Sequence, residues 1–137
     1  MPTTVNITPV YVLDLDEALR FYTEELGFEL RDDVDFGTMR WLSVGAPGDD
    51  RQLLLALVEH HVPPVDQPAM RELVAKGTFP VFLTTDQDVD ALFEGLRAKG
   101  VEVLQEPTTQ PYGLRDCAVR DPSGNHLRLG QWVQQPA

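Results

Sequence analysis

The side chains with most chemical reach in this 137-residue chain are three histidines, one cysteine and an arginine two residues from a histidine. His126 and Arg128 stand two apart, so on a regular strand they share a face. An imidazole there, with an ordinary pKa of ~6.5, can hold a ligand by a hydrogen bond or act as a general base. The other reading is a rim position facing water. Arg128, once enclosed, needs an acidic ligand or a protein carboxylate such as Asp116 or Glu59. At a strand end it would instead reach solvent. His60 and His61 are adjacent and would point to opposite faces of a strand, which is poor geometry for joint chelation. They open a proline-rich connector and read as a solvated loop pair. Cys117 alternates with Val119 and reads as a buried thiol, because no histidine or helix N-terminus is evident beside it. Asp116 and other lone aspartates offer a base, but nothing in the sequence selects one. Gly-x-Ser-x-Gly, P-loop and His-Glu-x-x-His patterns are absent.

The elements that must position these groups occur twice. Val12-Leu13-Asp14-Leu15-Asp16-Glu17-Ala18-Leu19 runs on to Leu26-Gly27-Phe28-Glu29-Leu30. Asp86-Gln87-Asp88-Val89-Asp90-Ala91-Leu92-Phe93 runs on to Lys99-Gly100-Val101-Glu102-Val103. Both read strand, Asp-x-Asp cap, amphipathic helix, glycine stop, strand. Asp14 maps to Asp88 and Gly27 to Gly100, with one residue lost in the second helix. In the first helix Leu15, Ala18, Leu19, Tyr22 and Leu26 form one apolar stripe; in the second, Val89, Leu92, Phe93 and Leu96 do. Asp14 or Asp16 suits an N-cap, and the glycines suit the position after the helix. A two-fold repeat of this length implies a duplicated supersecondary unit, since solenoids need at least three copies.

Three strands are predicted after each helix: 28–34, 39–44 and 52–58, then 101–104, 114–120 and 126–131. Turn residues separate them, including Gly45-Ala46-Pro47-Gly48-Asp49-Asp50 and Asp121-Pro122-Ser123-Gly124-Asn125. Module one spans about residues 5–59, a linker 60–77 and module two 78–131. Pro63-Pro64 and Pro68 make the linker extended at its start, and residues 69–75 can form a short helix.

Composition narrows the functions. Eleven basic against 22 acidic residues give a net charge of −11, which argues against phosphate-backbone binding and hence against a nucleic-acid partner. Much of the surplus acid lies at helix starts and turns, where it caps helices and aids solubility. No apolar run approaches the ~20 residues of a membrane span, and Met1-Pro2-Thr3-Thr4 has neither the basic nor the apolar region of a signal peptide. One cysteine excludes an internal disulfide and a cysteine-rich zinc site. A cytoplasmic protein away from membranes is expected.

The pieces Val12 to Tyr22 with Leu26-Gly27-Phe28, and Val119-Arg120-Asp121-Pro122-Ser123-Gly124-Asn125, together with the repeat, resemble the vicinal oxygen chelate superfamily. That superfamily includes glyoxalase I, bleomycin-resistance proteins, fosfomycin-resistance enzymes and extradiol dioxygenases. The resemblance covers about Val5 to Gln131. It implies an α+β fold of two βαβββ modules, whose curved sheets form a cup with the helices outside, and a homodimer. It does not select a reaction, because one scaffold hosts many chemistries.

The resemblance also implies where a divalent metal would be held: a His or Gln on the first strand of each module and a Glu on the last strand of each. Counting seven residues back from Asp14 and Asp88 gives Ile7 and Val81. Counting three on from Asn125 gives Arg128, and the matching place in module one is Ala56 or Leu55. Isoleucine, valine and alanine carry no lone pair, and a protonated arginine repels a cation. No cofactor and no metal are therefore expected.

Strand alternation places Val10, Val12, Leu127 and Leu129 against the helices. Ile7, Pro9, Tyr11, His126, Arg128 and Gly130 then face the cup. Gln52, Leu54, Ala56 and Val58 join them, with Trp41 and Ser43 from the third strand and Val81 and Leu83 from the fifth. Trp41 suits stacking on a planar ligand, and Tyr11 and Tyr112 suit donation to ligand oxygen; each is also an ordinary structural aromatic. The expected ligand-contact set is Ile7, Tyr11, Trp41, Ser43, Ala56, Val81, His126 and Arg128, an apolar lining with sparse polar points. It fits a metal-free protein that sequesters a partly apolar small molecule, as bleomycin-resistance members do. The alternative is a lyase, isomerase or dioxygenase with a displaced metal or metal-free acid–base chemistry. A third reading is a dimeric accessory domain whose cup is filled by its own side chains.

Overall fold

A computed structural model describes residues 2–134. The chain divides between Ala75 and Lys76 into two compact units, each built on a four-stranded mixed sheet of the same topology.

The first unit contains β1 (Ile7–Val12), α1 (Leu15–Arg20), β2 (Glu29–Asp35), β3 (Arg40–Gly45) and β4 (Gln52–Leu57). Its strand order is β1-β4-β3-β2, with β1 parallel to β4 and the other pairs antiparallel. After β4 come α2 (Val58–His61), a 3-10 turn (Pro64–Asp66) and α3 (Gln67–Ala75). The second unit contains β5 (Pro80–Thr84), α4 (Val89–Ala98), β6 (Val103–Thr109), β7 (Leu114–Arg120) and β8 (His126–Trp132). Its order is β5-β8-β7-β6, again with one parallel pair, β5 with β8. The α+β fold of two βαβββ repeats expected from the sequence is present.

Of the two aspartates that suited the first N-cap, Asp14 takes the role, and Asp88 takes it in the second helix. Asp14 accepts from the Glu17 backbone N–H at 2.9 Å, and Asp88 from that of Asp90 at 2.9 Å. Each satisfies one of the donors that a helix start leaves over. Gly27 and Gly100 follow the helices with φ of 82° and 85°, a region where a side chain would be strained. The residue that the second helix lacks is explained by a π-turn at Phe21–Glu25, which continues α1. The Leu26 N–H reaches the Phe21 carbonyl five residues back. One extra residue is thus absorbed inside the helix, and Gly27 still falls at its end. The turn buries Phe21 beside Tyr22, with their rings edge to face at 5.1 Å.

Each core lies between one helix and one sheet face. Leu15, Ala18, Phe21 and Tyr22 are buried with Val10, Val12, Leu42, Val44 and Leu55; Val89, Phe93 and Leu96 are buried with Cys117, Val119, Leu127 and Leu129. An ion pair repeats at the helix start of both units. Arg40 of β3 meets Asp16 of α1 at 2.8 Å, and Arg115 of β7 meets Asp90 of α4 at 2.7 Å.

Several boundaries differ from expectation. β6 runs to Thr109, through Pro107, because register shifts on either side of Gln105 accommodate the proline. Val58 is no strand residue of a cup face: β4 stops at Leu57, and Val58 begins α2 fully buried. His60 and His61 are no solvated loop pair either. Both lie in α2, His60 Nδ1 accepts from the Arg40 backbone N–H at 3.2 Å, and His61 is half-buried. Burial and the neighbouring His60 lower the His61 pKa below the ordinary value.

Candidate functional site

Register decides which residues share a sheet face. In the first unit β1 and β4 align Ile7 with Gln52, Pro9 with Leu54, and Tyr11 with Ala56. Ser43 aligns with Leu54 on β3, and Trp41, two residues away, follows it. Ile7, Tyr11, Trp41, Ser43 and Ala56 therefore lie on one face, opposite the face that α1 covers. The face is apolar with few polar points. Trp41 and Tyr11 are half-buried, and Ser43 is fully buried. The Ser43 hydroxyl accepts from the Asp32 N–H at 3.2 Å and donates to the Asp32 carboxylate at 3.3 Å.

In the second unit the corresponding face carries the polar groups. β8 aligns His126 with Arg120, Arg128 with Ala118, and Gly130 with Asp116. On the other side β5 aligns Pro80 with His126, Phe82 with Arg128, and Thr84 with Gly130. The reverse face of β8 belongs to the helix, because Gln131 accepts from the Val89 N–H at the start of α4 at 3.0 Å. The start of β8 is fixed by the turn before it. Asp121 Oδ1 accepts from the N–H groups of Ser123, Gly124 and Asn125 at 2.9–3.0 Å, and Oδ2 from the Asn125 amide at 2.9 Å. Satisfying these buried donors locks the chain one residue before His126.

Val81 does not join this face. It aligns with Leu127, among residues packed toward the helix, and Leu83 aligns with Leu129 on the same side. The sequence count assumed equal spacing from first strand to cap in both modules. Only Leu13 separates β1 from Asp14, whereas Thr85-Asp86-Gln87 separate β5 from Asp88. Because β1 ends on the helix side at Val12 and β5 on the open side at Thr84, the nearest open-face residue stands three before the cap in the first unit (Tyr11 to Asp14) and four before it in the second (Thr84 to Asp88). The odd difference reverses the parity, and parity selects the face. Phe82, 71% exposed, takes the place assigned to Val81.

Arg128 anchors a hydrogen-bonded group. Its Nη1 donates to Asp116 Oδ2 at 3.1 Å and to Gln105 Oε1 at 3.0 Å, and its Nη2 lies 3.4 Å from His126 Nε2. Asp116 Oδ1 accepts from the amides of Gln105 at 3.1 Å and Gln110 at 3.0 Å. Asp116 is 1% exposed. Burial alone would raise its pKa, but the hydrogen bonds from Gln110, Arg128 and Gln105 and the Arg128 charge outweigh it and hold the carboxyl below its ordinary value. A carboxylate so held is a weak base, so Asp116 serves Arg128 as counter-ion. Of the two carboxylates considered for that role, Glu59 pairs instead with Arg71 at 2.8 Å. Gln105 and Gln110 were not anticipated as part of the group. Cys117 points to the helix side, and burial pushes its thiol up to about 11.

The donor set does not fit a metal. Ile7, Ala56 and Leu55 provide no donor atoms, and neither Val81 nor the Pro80 and Phe82 beside it does. Arg128 is a cation already paired with Asp116. Among the described residues no three His, Cys, Asp or Glu side chains stand close enough to hold an ion. No chemical step is assigned to a metal.

The sequence profile of the Glyoxalase/Bleomycin resistance protein/Dioxygenase superfamily matches residues 4–129. The chain belongs to this superfamily. Its similarity to other superfamily-sized chains runs nearly end to end. The uncharacterized protein YurT of Bacillus subtilis (strain 168) is 35% identical over 130 residues, covering 93% of this chain and 98% of YurT. The crystal structure of UcmS2 matches with a TM-score of 0.85 at 35% identity, over 95% of this chain and 98% of that one. The crystal structure of TnmS3, described as an antibiotic binding protein from Streptomyces sp. CB03234, matches with a TM-score of 0.75 at 33% identity, over 99% and 98%. No helix among the described residues is long and apolar enough to cross a membrane.

Proposed function

We propose that this superfamily member binds and sequesters a partly apolar small molecule of the antibiotic type, without a metal, as a cytoplasmic homodimer. One observation carries the reading: where superfamily enzymes hold their ion, this chain has apolar side chains and an arginine bonded to Asp116 at 3.1 Å. Such positions give apolar area for affinity and sparse polar points for orientation. The likeness to TnmS3 supports the same reading. The ligand-contact residues we assign are Ile7, Tyr11, Trp41, Ser43 and Ala56 on the first sheet. On the second they are His126, Arg128 and, in place of Val81, Phe82.

Titration with bleomycin-type glycopeptides and a wider antibiotic panel tests this, read by tryptophan fluorescence and by protection of cells that express the protein. The expected outcome is saturable binding of at least one compound, unchanged by a chelator. No binding and no protection across the panel would retire the reading. Micromolar calorimetric binding of nickel, zinc, iron(II) or manganese would overturn its metal-free part. Light scattering across a concentration series tests the dimer.

A further inference from the structure

On the second sheet the polar groups of the open face cancel in charge but leave one donor over. Arg128 is paired with Asp116, and Arg120 with Glu102 at 2.6 Å. Among the described residues, both arginines that the register places on this face are paired with a carboxylate, so an ionic guest would have to displace a partner. His126 is different. Its Nε2 faces Arg128 Nη2 at 3.4 Å, and a guanidinium has only N–H donors. At that contact the imidazole nitrogen must accept, so the neutral ring carries its hydrogen on Nδ1. Burial, then the charges of Arg128 and Arg120, lower the imidazole pKa below its ordinary value and favour that neutral form. No described residue accepts from Nδ1 of this half-buried ring. Beside it on β5 stand Pro80, aligned with His126, and the exposed ring of Phe82, aligned with Arg128.

Building on the small-molecule reading, we infer that His126 Nδ1–H determines specificity by donating to a carbonyl oxygen of an uncharged ligand whose flat, apolar body lies on Phe82. The charge cancellation selects against ionic ligands, the open donor selects for an acceptor, and the exposed ring supplies the apolar contact. Arg128 acts through His126, fixing its tautomer.

Four probes of nearly one shape test this: fluorene, 9-fluorenone, fluorene-9-carboxylate and protonated 9-aminofluorene. They are titrated into the full chain and into His126→Phe and His126→Asn. Fluorenone is expected to bind the parent about five- to tenfold tighter than fluorene, the range of one net hydrogen bond. His126→Phe should abolish that preference. His126→Asn, whose amide nitrogen stands close to the place of Nδ1, should keep part of it. Neither charged probe should exceed fluorenone. Melting curves establish that both variants fold. Equal binding of fluorene and fluorenone overturns the inference and leaves the small-molecule reading standing, as does a preference that survives in folded His126→Phe. Failure of all four to bind overturns the inference, and the antibiotic panel then judges the wider reading by itself. Independently of any ligand, two-bond proton–nitrogen correlation spectra should show the hydrogen of His126 on Nδ1; a dominant Nε2–H form overturns the assignment.

Discussion

Arg128 Nη1 stands 3.1 Å from Asp116 Oδ2, one diagonal step across the β7–β8 ladder. The aspartate is 1% exposed, while 24% of the arginine side chain reaches water. Removing one partner of such a pair strands a charge in a poor solvent. Arg128→Met should destabilise the chain by about 2–3 kcal/mol, at or below the low end for a fully enclosed pair because of that exposure. The double variant Asp116→Leu/Arg128→Met should cost less than either single change, since no ion is left behind. Urea unfolding of the three variants, arranged as a double-mutant cycle, checks this. Additive losses would show that the two groups are not coupled.

The same pair sets a pH dependence. The folded pKa of Asp116 lies below its ordinary value, so in acid the unfolded chain binds a proton that the folded one resists. The aspartate's contribution is then complete above the unfolded pKa of ~3.9 and is lost as pH falls through the lower, folded value. Arg128→Met removes the cation and one hydrogen bond and should raise the folded pKa. The acid slope of stability should become shallower in that variant. Urea midpoints recorded from pH 2 to pH 6 test this; parallel slopes in the two proteins would refute the linkage.

Asp14, Asp88, Gly27 and Gly100 were legible in the sequence because caps and stops are local backbone chemistry. The faces of β1, β3, β4 and β8 were legible because alternation within a strand is local too. Val81 was not, because the distance from the open face of the first strand to the helix cap differs by an odd number between the repeats, three residues from Tyr11 to Asp14 and four from Thr84 to Asp88. Asp116 and Glu59 were equal candidates for Arg128 until the β7–β8 register put Asp116 within reach. Gln105 and Gln110 were hidden by Pro107, which argues against a strand until the register shifts around it are seen. His60 and His61 lie on a single helical turn that carries no cap or periodic signal of its own.

Two further ion pairs form a natural control. Arg40–Asp16 and Arg115–Asp90 are duplicates at the first turns of the two helices, and both lie toward solvent. Arg115→Gln should cost much less stability than Arg128→Met, and most of its effect should disappear in 1 M salt. The Arg128→Met loss should persist in salt, because screening reaches buried pairs poorly. Unfolding at low and high ionic strength separates the two behaviours. Equal salt sensitivity would mean that Asp116 is more hydrated than its burial indicates.

Cys117 gives a reporter on the β7–β8 ladder that holds Arg128. Its thiol is fully buried on the helix side, aligned with Leu129, and its pKa of about 11, raised by burial and by Asp116, leaves little thiolate at pH 8. Ellman's reagent should therefore label the native chain only as fast as the ladder opens. Labelling should become immediate in denaturing urea. Arg128→Met should speed native labelling about tenfold for each 1.4 kcal/mol of stability it loses, provided that global unfolding is the route to exposure. Rapid labelling of the folded parent would instead place the opening at β7 and β8 alone, and the hydrogen-bonded group around Asp116 would then be the least stable part of the second unit.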